Sequence, residues 1–323
     1  MKKLKYALSI IFMLAIASCS KDDSANNINT PEPNIYVAGW STSNPSESHR
    51  ATIWKNGAAT FLTDGTKDAT ANSIFVNNND VYVVGSELNE IRFWKNGVLQ
   101  NLNVSTTNAS SGIAVTVSNN NVYVLGSQSS GSGTIIKYWK NGVLTDVTTG
   151  TAIAFPTDIK VLNNDVYITY NEGDYAKLWK NGVVTNLSDG TLHEETISMA
   201  IDNNNVYVLG NQSAQVKYWK NGVETLAFPI GTSRGALGID VSGGTVYIGG
   251  YDNYKPQTWV NGNAQSSNAS TVGNGFITAV KMFNNNFYAV GNQTKSKLWI
   301  NGSESILSPN SYSSDTYSIF LTN

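Results

Sequence analysis

Trp54-Lys55-Asn56-Gly57 is the first copy of a tetrad that returns along the whole chain. It recurs unchanged four times, and twice more with Val or Ile in place of the lysine. Successive tryptophans are 40 residues apart, except for one interval of 45. Seven copies at a period near 40 residues predict a repeat architecture. The copies begin at Trp54, Trp94, Trp139, Trp179, Trp219, Trp259 and Trp299.

A second motif, Val-Tyr-Val-x-Gly or a looser version of it, precedes each tetrad. Asn-rich turns such as residues 77–79 lead into it. The Asn-Gly pair of the tetrad is a strong hairpin signal, because both residues tolerate the positive φ of a type I′ turn. The pattern of each unit therefore predicts four short strands, and the spacing of its apolar residues shows no helical period. The copies of the second motif are residues 35–39, 81–85, 122–126, 166–170, 206–210, 246–250 and 287–291.

Seven four-stranded units predict an all-β fold, a seven-bladed β-propeller over residues 34–323. An open solenoid of the same units is the alternative, and it would need capping units at its ends. The chain ends favour a ring, because the first unit lacks the strand that residues 72–76 supply to the second, and residues 317–321 repeat that pattern. We expect residues 317–321 to pair with residues 35–39 and complete blade one, which removes exposed strand edges.

The first 18 residues have the organisation of a secretory signal peptide. Lys2, Lys3 and Lys5 precede an apolar stretch, residues 8–17, that is too short for a lasting membrane span. Residues 16–19, Ile-Ala-Ser-Cys, resemble the lipobox of bacterial lipoproteins. The resemblance implies cleavage before Cys19, thioether lipidation of its thiol and acylation of the new amino group. An ordinary secretory peptide with an incidental cysteine is the alternative.

Residues 20–23, Ser-Lys-Asp-Asp, resemble the Lys-acidic-acidic export signal of some Gram-negative surface lipoproteins. This likeness implies an outer-membrane lipoprotein displayed at the cell surface, with the periplasmic leaflet as the other location. Residues 19–33 are polar, end in Pro-Glu-Pro and predict a flexible tether after the lipidated cysteine. Loss of residues 1–18 would change the net charge of the chain from −2 to about −5.

The Trp-x-Asn-Gly units resemble extracellular HAF-type repeats and, more loosely, kelch propellers. Trp and Asn-Gly match in all seven units, whereas the His-Ala-Phe part is absent. The resemblance implies an extracytoplasmic propeller and no particular activity.

Composition excludes several functions. An acidic chain with three arginines has no basic stripe for nucleic acid. One cysteine and two histidines, His49 and His193, in different units argue against a zinc site, and we expect no metal or cofactor. A sialidase would need clustered arginines and its Ser-x-Asp-x-Gly box, which is absent.

Asp158 is the one carboxylate that breaks the repeat at a position expected to lie near the central channel. The other units carry small residues there: Ser73, Ala114, Ser198, Gly238, Ala279 and Ser318. A hydrogen-bonded channel residue is one interpretation. The other is a carbohydrate-active enzyme, a polysaccharide hydrolase or lyase with an acidic site near the channel, which would need a second carboxylate.

The repeated tryptophans and tyrosines should pack between blades, so function should lie where the repeat is broken. The antiparallel strand order puts the Asn-rich and Asn-Gly turns on one face of the ring. The loops after the second strand and between blades share the opposite face, which we call the variable face. We expect it to bind a glycan or a protein, and aromatic and acidic residues there are the candidate contacts: Trp40, Tyr170, Tyr175, Tyr251, Asp252 and Tyr254.

Overall fold

The computed structural model describes residues 32–104, 108–212, 215–229, 234–265 and 273–323. Residues 33–323 form one compact unit. The described residues fold into seven four-stranded antiparallel sheets and contain no helix, so the predicted all-β propeller is confirmed. Accordingly, no described segment is a helix of the length and apolarity needed to cross a membrane. Cys19 and the signal sequence lie outside the described residues.

Within each blade the strands follow one another from the channel outwards. Blade one contains β28 (Ser313–Thr322), β1 (Asn34–Thr42), β2 (Arg50–Lys55) and β3 (Ala58–Phe61). Blade two contains β4 (Ala69–Asn77), β5 (Asp80–Glu87), β6 (Glu90–Lys95) and β7 (Val98–Gln100). Blade three contains β8 (Ser110–Ser118), β9 (Asn121–Ser129), β10 (Thr134–Lys140) and β11 (Val143–Asp146). Blades four and five contain β12 (Ala154–Leu162), β13 (Asp165–Glu172), β14 (Tyr175–Lys180) and β15 (Val183–Asn186); and β16 (Glu194–Asp202), β17 (Asn205–Gln212), β18 (Gln215–Lys220) and β19 (Val223–Pro229). Blades six and seven contain β20 (Arg234–Ser242), β21 (Thr245–Asp252), β22 (Lys255–Val260) and β23 (Asn263–Ala264); and β24 (Phe276–Phe283), β25 (Asn286–Gln293), β26 (Lys295–Ile300) and β27 (Ser303–Ile306).

The ring closes through the last strand, as expected. β28 pairs with β1, with Tyr36 opposite Phe320 and Val37 opposite Ile319. Each innermost strand contacts the innermost strands of the blades on both sides, and the circuit is completed by β28, which contacts β24 and β4. This arrangement excludes the open solenoid.

The repeated aromatic residues form the core between blades, as predicted. All seven tetrad tryptophans are buried. Trp139 of blade three, for example, packs in one cluster with Tyr82 and Val84 of blade two. Each blade thus covers the apolar face of its neighbour, and the hydrophobic effect holds the ring together.

The Asn of each tetrad ties two turns together on the face opposite the variable face. Asn96 and Gly97 have φ of 51° and 77°, as a type I′ turn requires. The Asn96 side-chain Oδ1 accepts the N–H of Val81 at 2.8 Å, and its own N–H donates to the Val81 carbonyl at 2.8 Å. The equivalent hydrogen bond, from a backbone N–H to the asparagine Oδ1, is present in the other six blades at Asn56, Asn141, Asn181, Asn221, Asn261 and Asn301. We call this side the asparagine face.

Hydrogen bonds also place the two remaining sets of loops together. The N–H of Leu88, between β5 and β6, donates to the carbonyl of Asp68 in an inter-blade loop at 2.9 Å. The N–H of Gly275 donates likewise to Tyr254 at 2.7 Å. These contacts confirm that the variable loops share one face of the ring.

Candidate functional site

The innermost strands surround a channel and share a β-bulge. In blade four the register of β12 shifts between Pro156 and Asp158, so Thr157 is the extra residue, and the same shift occurs in every blade. Asp158 and the six small residues at its position in the other blades all line a cavity of about 340 Å³. We call this cavity the channel chamber. The expected place of Asp158 near the channel is therefore confirmed.

Asp158 is buried, and both of its carboxylate oxygens are occupied. Lys160 Nζ lies 2.7 Å from Oδ1 and 2.8 Å from Oδ2, and the N–H of Met199 in blade five donates to Oδ2 at 2.8 Å. In other blades, the hydroxyl oxygens of Ser73 and Ser318 accept the equivalent N–H of the following blade at 3.2 and 3.3 Å. Asp158 thus makes the same bridge between blades as these serines and adds a charge with its own counterion.

A second buried carboxylate, Asp240 of blade six, lines the same chamber. Its Oδ1 lies 2.6 Å from Lys281 Nζ, and its Oδ2 accepts the N–H of Met282 at 2.7 Å. Glycoside hydrolysis needs one carboxyl group as a proton donor and a second as base or nucleophile. Every oxygen of Asp158 and Asp240 already accepts a hydrogen bond, and each carboxylate has a lysine partner. The chamber is therefore polar, with its charges matched.

Trp40 lies in a strand and is held by neighbouring side chains. β1 continues to Thr42, and the indole Nε1 donates to the hydroxyl of Tyr317 at 2.9 Å. The indole also stacks on the ring of His49, with centroids 3.7 Å apart, and His49 Nδ1 lies 2.9 Å from Asp68 Oδ1. One face of the indole is therefore covered by the imidazole.

Asp315 lies beside this cluster and was not among the predicted residues. It sits opposite Trp40 in the β28–β1 ladder. Desolvation raises the pKa of Asp315 to about 6, and the N–H of Thr316, which donates to its Oδ1 at 2.8 Å, opposes that rise. Desolvation and the charge of Asp315 also raise the pKa of Tyr317. A carboxyl group with a pKa near 6 can exchange its proton close to neutral pH.

The two candidate tyrosines of blade four occupy different environments. Tyr170 lies inside β13 at the position that glycine holds in the other blades, and it is only 3% exposed. Burial and the charge of Glu172 raise its pKa to about 12, so the phenol stays neutral. Tyr175 is exposed, and its ring lies 5.7 Å from Lys177 Nζ. Tyr170 is thus a packing residue, whereas Tyr175 offers surface.

The candidates in blade six surround the turn between β21 and β22. Tyr254 is 58% exposed and has φ of 61°. Tyr251 is half-buried and packs against Gly235, where an added Cβ would lie 2.7 Å from its ring. Asp252 stands opposite Lys255 in the strand register. The candidates of blades one, four and six thus belong to separate parts of the variable face.

Four exposed apolar residues lie at the end of blade four that belongs to the variable face. We call them the blade-four patch: Ile153, Phe155, Tyr175 and Leu192. The sequence pattern pointed to Tyr175 and not to the other three. A signal was available, since Phe155 precedes Asp158 by three residues and an apolar residue there is shared with blade seven alone.

Charged groups border the patch. His193 Nε2 lies 2.8 Å from Glu195 Oε1, and His193 Nδ1 lies 3.4 Å from Asp174 Oδ1. The hydrogen bond to Glu195, followed by that to Asp174, raises the pKa of His193. Within the described part of the chain, no group of three or more His, Cys, Asp or Glu side chains has the arrangement of a metal site.

No family model matches the chain, and no curated protein matches it. Among solved structures, it is similar to the WD40 β-propeller domain of Doa1, with a TM-score of 0.53 and 15% identity over 80% of this chain and 86% of that one. It is also similar to a prolyl endopeptidase, with a TM-score of 0.52 and 12% identity over 90% of this chain and 50% of that one. TolB from Acinetobacter baumannii matches with a TM-score of 0.50 and 10% identity over 72% and 62% of the two chains. At these identities the likenesses establish the propeller fold alone.

Proposed function

We propose that this protein is a lipid-anchored recognition module that binds a partner protein through the variable face. The observation that carries the proposal is the blade-four patch, because large apolar side chains exposed together on a surface are typical of protein–protein contact sites. A propeller is suited to this role, since its repeated core fixes the loops while their sequences vary.

The geometry of blade four brings the patch together. Ile153 precedes Ala154, which pairs with Glu172 just before the Gly173–Asp174 turn. Tyr175 follows that turn and packs against Gly190, where an added Cβ would lie 2.4 Å from its ring. Leu192 follows Gly190 by two residues, and the adjacent His193 reaches back to Asp174. The four residues therefore lie near one turn, with Phe155 and Tyr175 on opposite faces of the blade, since Phe155 pairs with Asn171 and Tyr175 with Glu172.

The border of the patch favours a partner with basic groups. Asp174 and Glu195 are both substantially exposed. Interfaces commonly combine an apolar centre with a polar rim, and complementary charge on the partner increases the association rate and the specificity. A glycan ligand would instead use aromatic rings lying flat beside hydroxyl-binding groups. Trp40, the largest candidate ring, has one face covered by His49.

The chain enters the propeller on the asparagine face. β1 begins at Asn34 on the asparagine face, beside the Asn56-Gly57 turn, since Asn56 Oδ1 accepts the N–H of Ile35 at 2.8 Å. A lipid on Cys19 would be joined to the propeller through this face.

Replacing Cys19 by serine is expected to move the protein from the membrane fraction to the soluble fraction or to stall its export. Without the thiol no thioether-linked lipid can form, and two or more acyl chains are what makes such an anchor stable. Membrane flotation of wild type and variant measures this. Full retention of the variant with membranes would contradict the proposed anchor.

Replacing Phe155 and Leu192 together by serine is expected to weaken partner capture at least tenfold, which corresponds to about 1.4 kcal/mol. Phe155 is 63% exposed, so its loss should change the free energy of unfolding by only about 0.5 kcal/mol. The full-length protein serves as bait for proteins of the culture medium and cell surface, and captured proteins are quantified by mass spectrometry.

The matched control replaces Val143 and Val183 by serine, since these valines are as exposed, at 69% and 68%, but lie on the outer strands β11 and β15. This control should retain full capture. Equal capture by the Phe155/Leu192 variant would contradict the proposal. If wild type and the control variant bound a glycan on an array and the patch variant did not, the ligand of the patch would be a glycan and not a protein.

A further inference from the structure

The channel chamber carries charges that the repeat does not require. In blades one and two, the serine after the bulge makes the bridge to the next blade without a charge. Two residues further along each innermost strand, three blades have a charged residue: Lys160, Asp240 and Lys281. The other blades have Phe75, Thr116, Ala200 and Phe320 at this position. Burying a charge is costly unless it is paired, and a buried ion pair seldom stabilises a fold more than apolar packing does. Asp240 also bridges to the next blade, through Lys281 and the N–H of Met282, but serines make such a bridge without a charge, so bridging alone does not require these charges.

The chamber lies in the half of the channel nearer the asparagine face. Its lining runs from the bulge residues, such as Thr157 and Tyr317, toward the asparagine face as far as Lys160 and Lys281. The side chains of Lys160 and Lys281 are 31% and 40% exposed, so solvent reaches both side chains. The chamber thus lies nearer the asparagine face than the variable face.

The remaining hydrogen-bonding capacity of the chamber specifies its ligand. Lys281 Nζ has three N–H donors and, among the described residues, makes one contact, to Asp240 Oδ1. Each oxygen of Asp240 accepts one hydrogen bond from the described part of the chain, which leaves a second lone pair on each. The hydroxyl-bearing residues Ser73, Ser198 and Ser318 also line the wall. Donors and acceptors side by side match hydroxyl groups, which both donate and accept.

The charge and the volume of the channel chamber restrict the class of ligand further. The chamber has no net charge, because its two carboxylates are balanced by two ammonium groups: Asp158 and Asp240, Lys160 and Lys281. An ionic ligand would therefore meet no excess of opposite charge. The volume of about 340 Å³ lies at the lower end of the range of small-molecule sites. We propose that the channel chamber binds a neutral polyhydroxylated molecule the size of one sugar residue. This proposal is independent of the partner-binding face.

The test uses saturation-transfer NMR of the full-length protein with glucose, galactose, mannose and N-acetylglucosamine, each at several concentrations. At least one of these sugars is expected to bind with a dissociation constant of about 1 mM or below. Glucuronate and glucosamine serve as anionic and cationic probes and should bind more weakly than that sugar. Absence of transfer to all four neutral sugars, or preference for either charged probe, would overturn the proposal.

The double variant Asp240→Asn/Lys281→Met tests whether the sugar binds in the chamber. It removes both charges together, and the asparagine keeps an oxygen for the N–H of Met282. It should weaken sugar binding at least tenfold. The control, Asp165→Asn/Lys180→Met, removes a more exposed Asp–Lys pair outside the chamber, with 2.7 Å between Lys180 Nζ and Asp165 Oδ2, and should bind as wild type does.

Thermal unfolding verifies that each variant folds, and Lys281→Gln replaces the double variant if that one does not. Sugar binding that survives the chamber variant at full foldedness would contradict this site. It would leave the proposal for the variable face untouched, because the Phe155/Leu192 variant tests that face separately.

Discussion

Replacing Gly85 by alanine is expected to destabilise the protein by about 4 kcal/mol or more, beyond the range that overpacking usually costs. An added Cβ would lie 1.9 Å from the carbonyl oxygen of Thr70 in the neighbouring innermost strand. The obstacle is backbone, held by the β-bulge between Ala71 and Ser73, so no side chain can turn aside to relieve it. Equilibrium denaturation in urea measures the loss, which is a large share of the stability of a typical domain.

Ser86→Ala is the control for Gly85→Ala. Ser86 is the next residue of the same strand, is half-buried and shares a 2.8 Å hydrogen bond with Ser111. Its replacement should cost about 1 kcal/mol. If Gly85→Ala were no more destabilising than Ser86→Ala, the close approach of the two strands would not be the reason for the glycine.

The repeat and the ring were predictable because they depend on local signals. Asn-Gly fixes a hairpin through positive φ, and this holds at Asn56, Asn96 and every later copy. The tryptophan recurs at one phase, so its packing between blades follows from the period alone. The strand missing before Asn34 and the surplus strand at residues 317–321 predicted the pairing that closes blade one.

The glycine of the second motif can be recognised in the sequence but not explained by it. At Gly85 the reason is the carbonyl of Thr70, which leaves no room for a Cβ, and this becomes visible only when the register is known. The bulge alone does not require glycine, because blade four has the same bulge. Blade four has Tyr170 in this position, and the sequence pattern predicted a binding residue of the variable face there. The structure shows β13 continuing to Glu172, with Tyr170 in the core.

Strand length also explains why the candidate site was only partly predictable. β1 extends to Thr42 and β28 starts at Ser313, four residues before the expected pairing segment. Trp40 therefore lies in a ladder opposite Asp315, an acidic residue that no sequence motif singles out. Ladder ends of this kind depend on the partner strand and not on local propensity. By contrast, Asp158 was found because a charge at a position of small residues is a local exception.

Ring closure through β28 is the claim on which both faces and the channel chamber depend, and the unfolding of a variant without residues 316–323 tests it. The deletion removes the buried side chains of Ile319 and Leu321, worth about 1.5–3 kcal/mol each, and the ladder opposite Ile35–Gly39. Deletion of residues 24–31, eight residues of the proposed tether, is the matched control. Calorimetry of both variants and of the full-length protein supplies the measurement. We expect the 316–323 deletion to lose the single cooperative transition or to aggregate, while the 24–31 deletion unfolds as the full-length protein does. A 316–323 deletion with an unchanged transition and midpoint would contradict the closed ring.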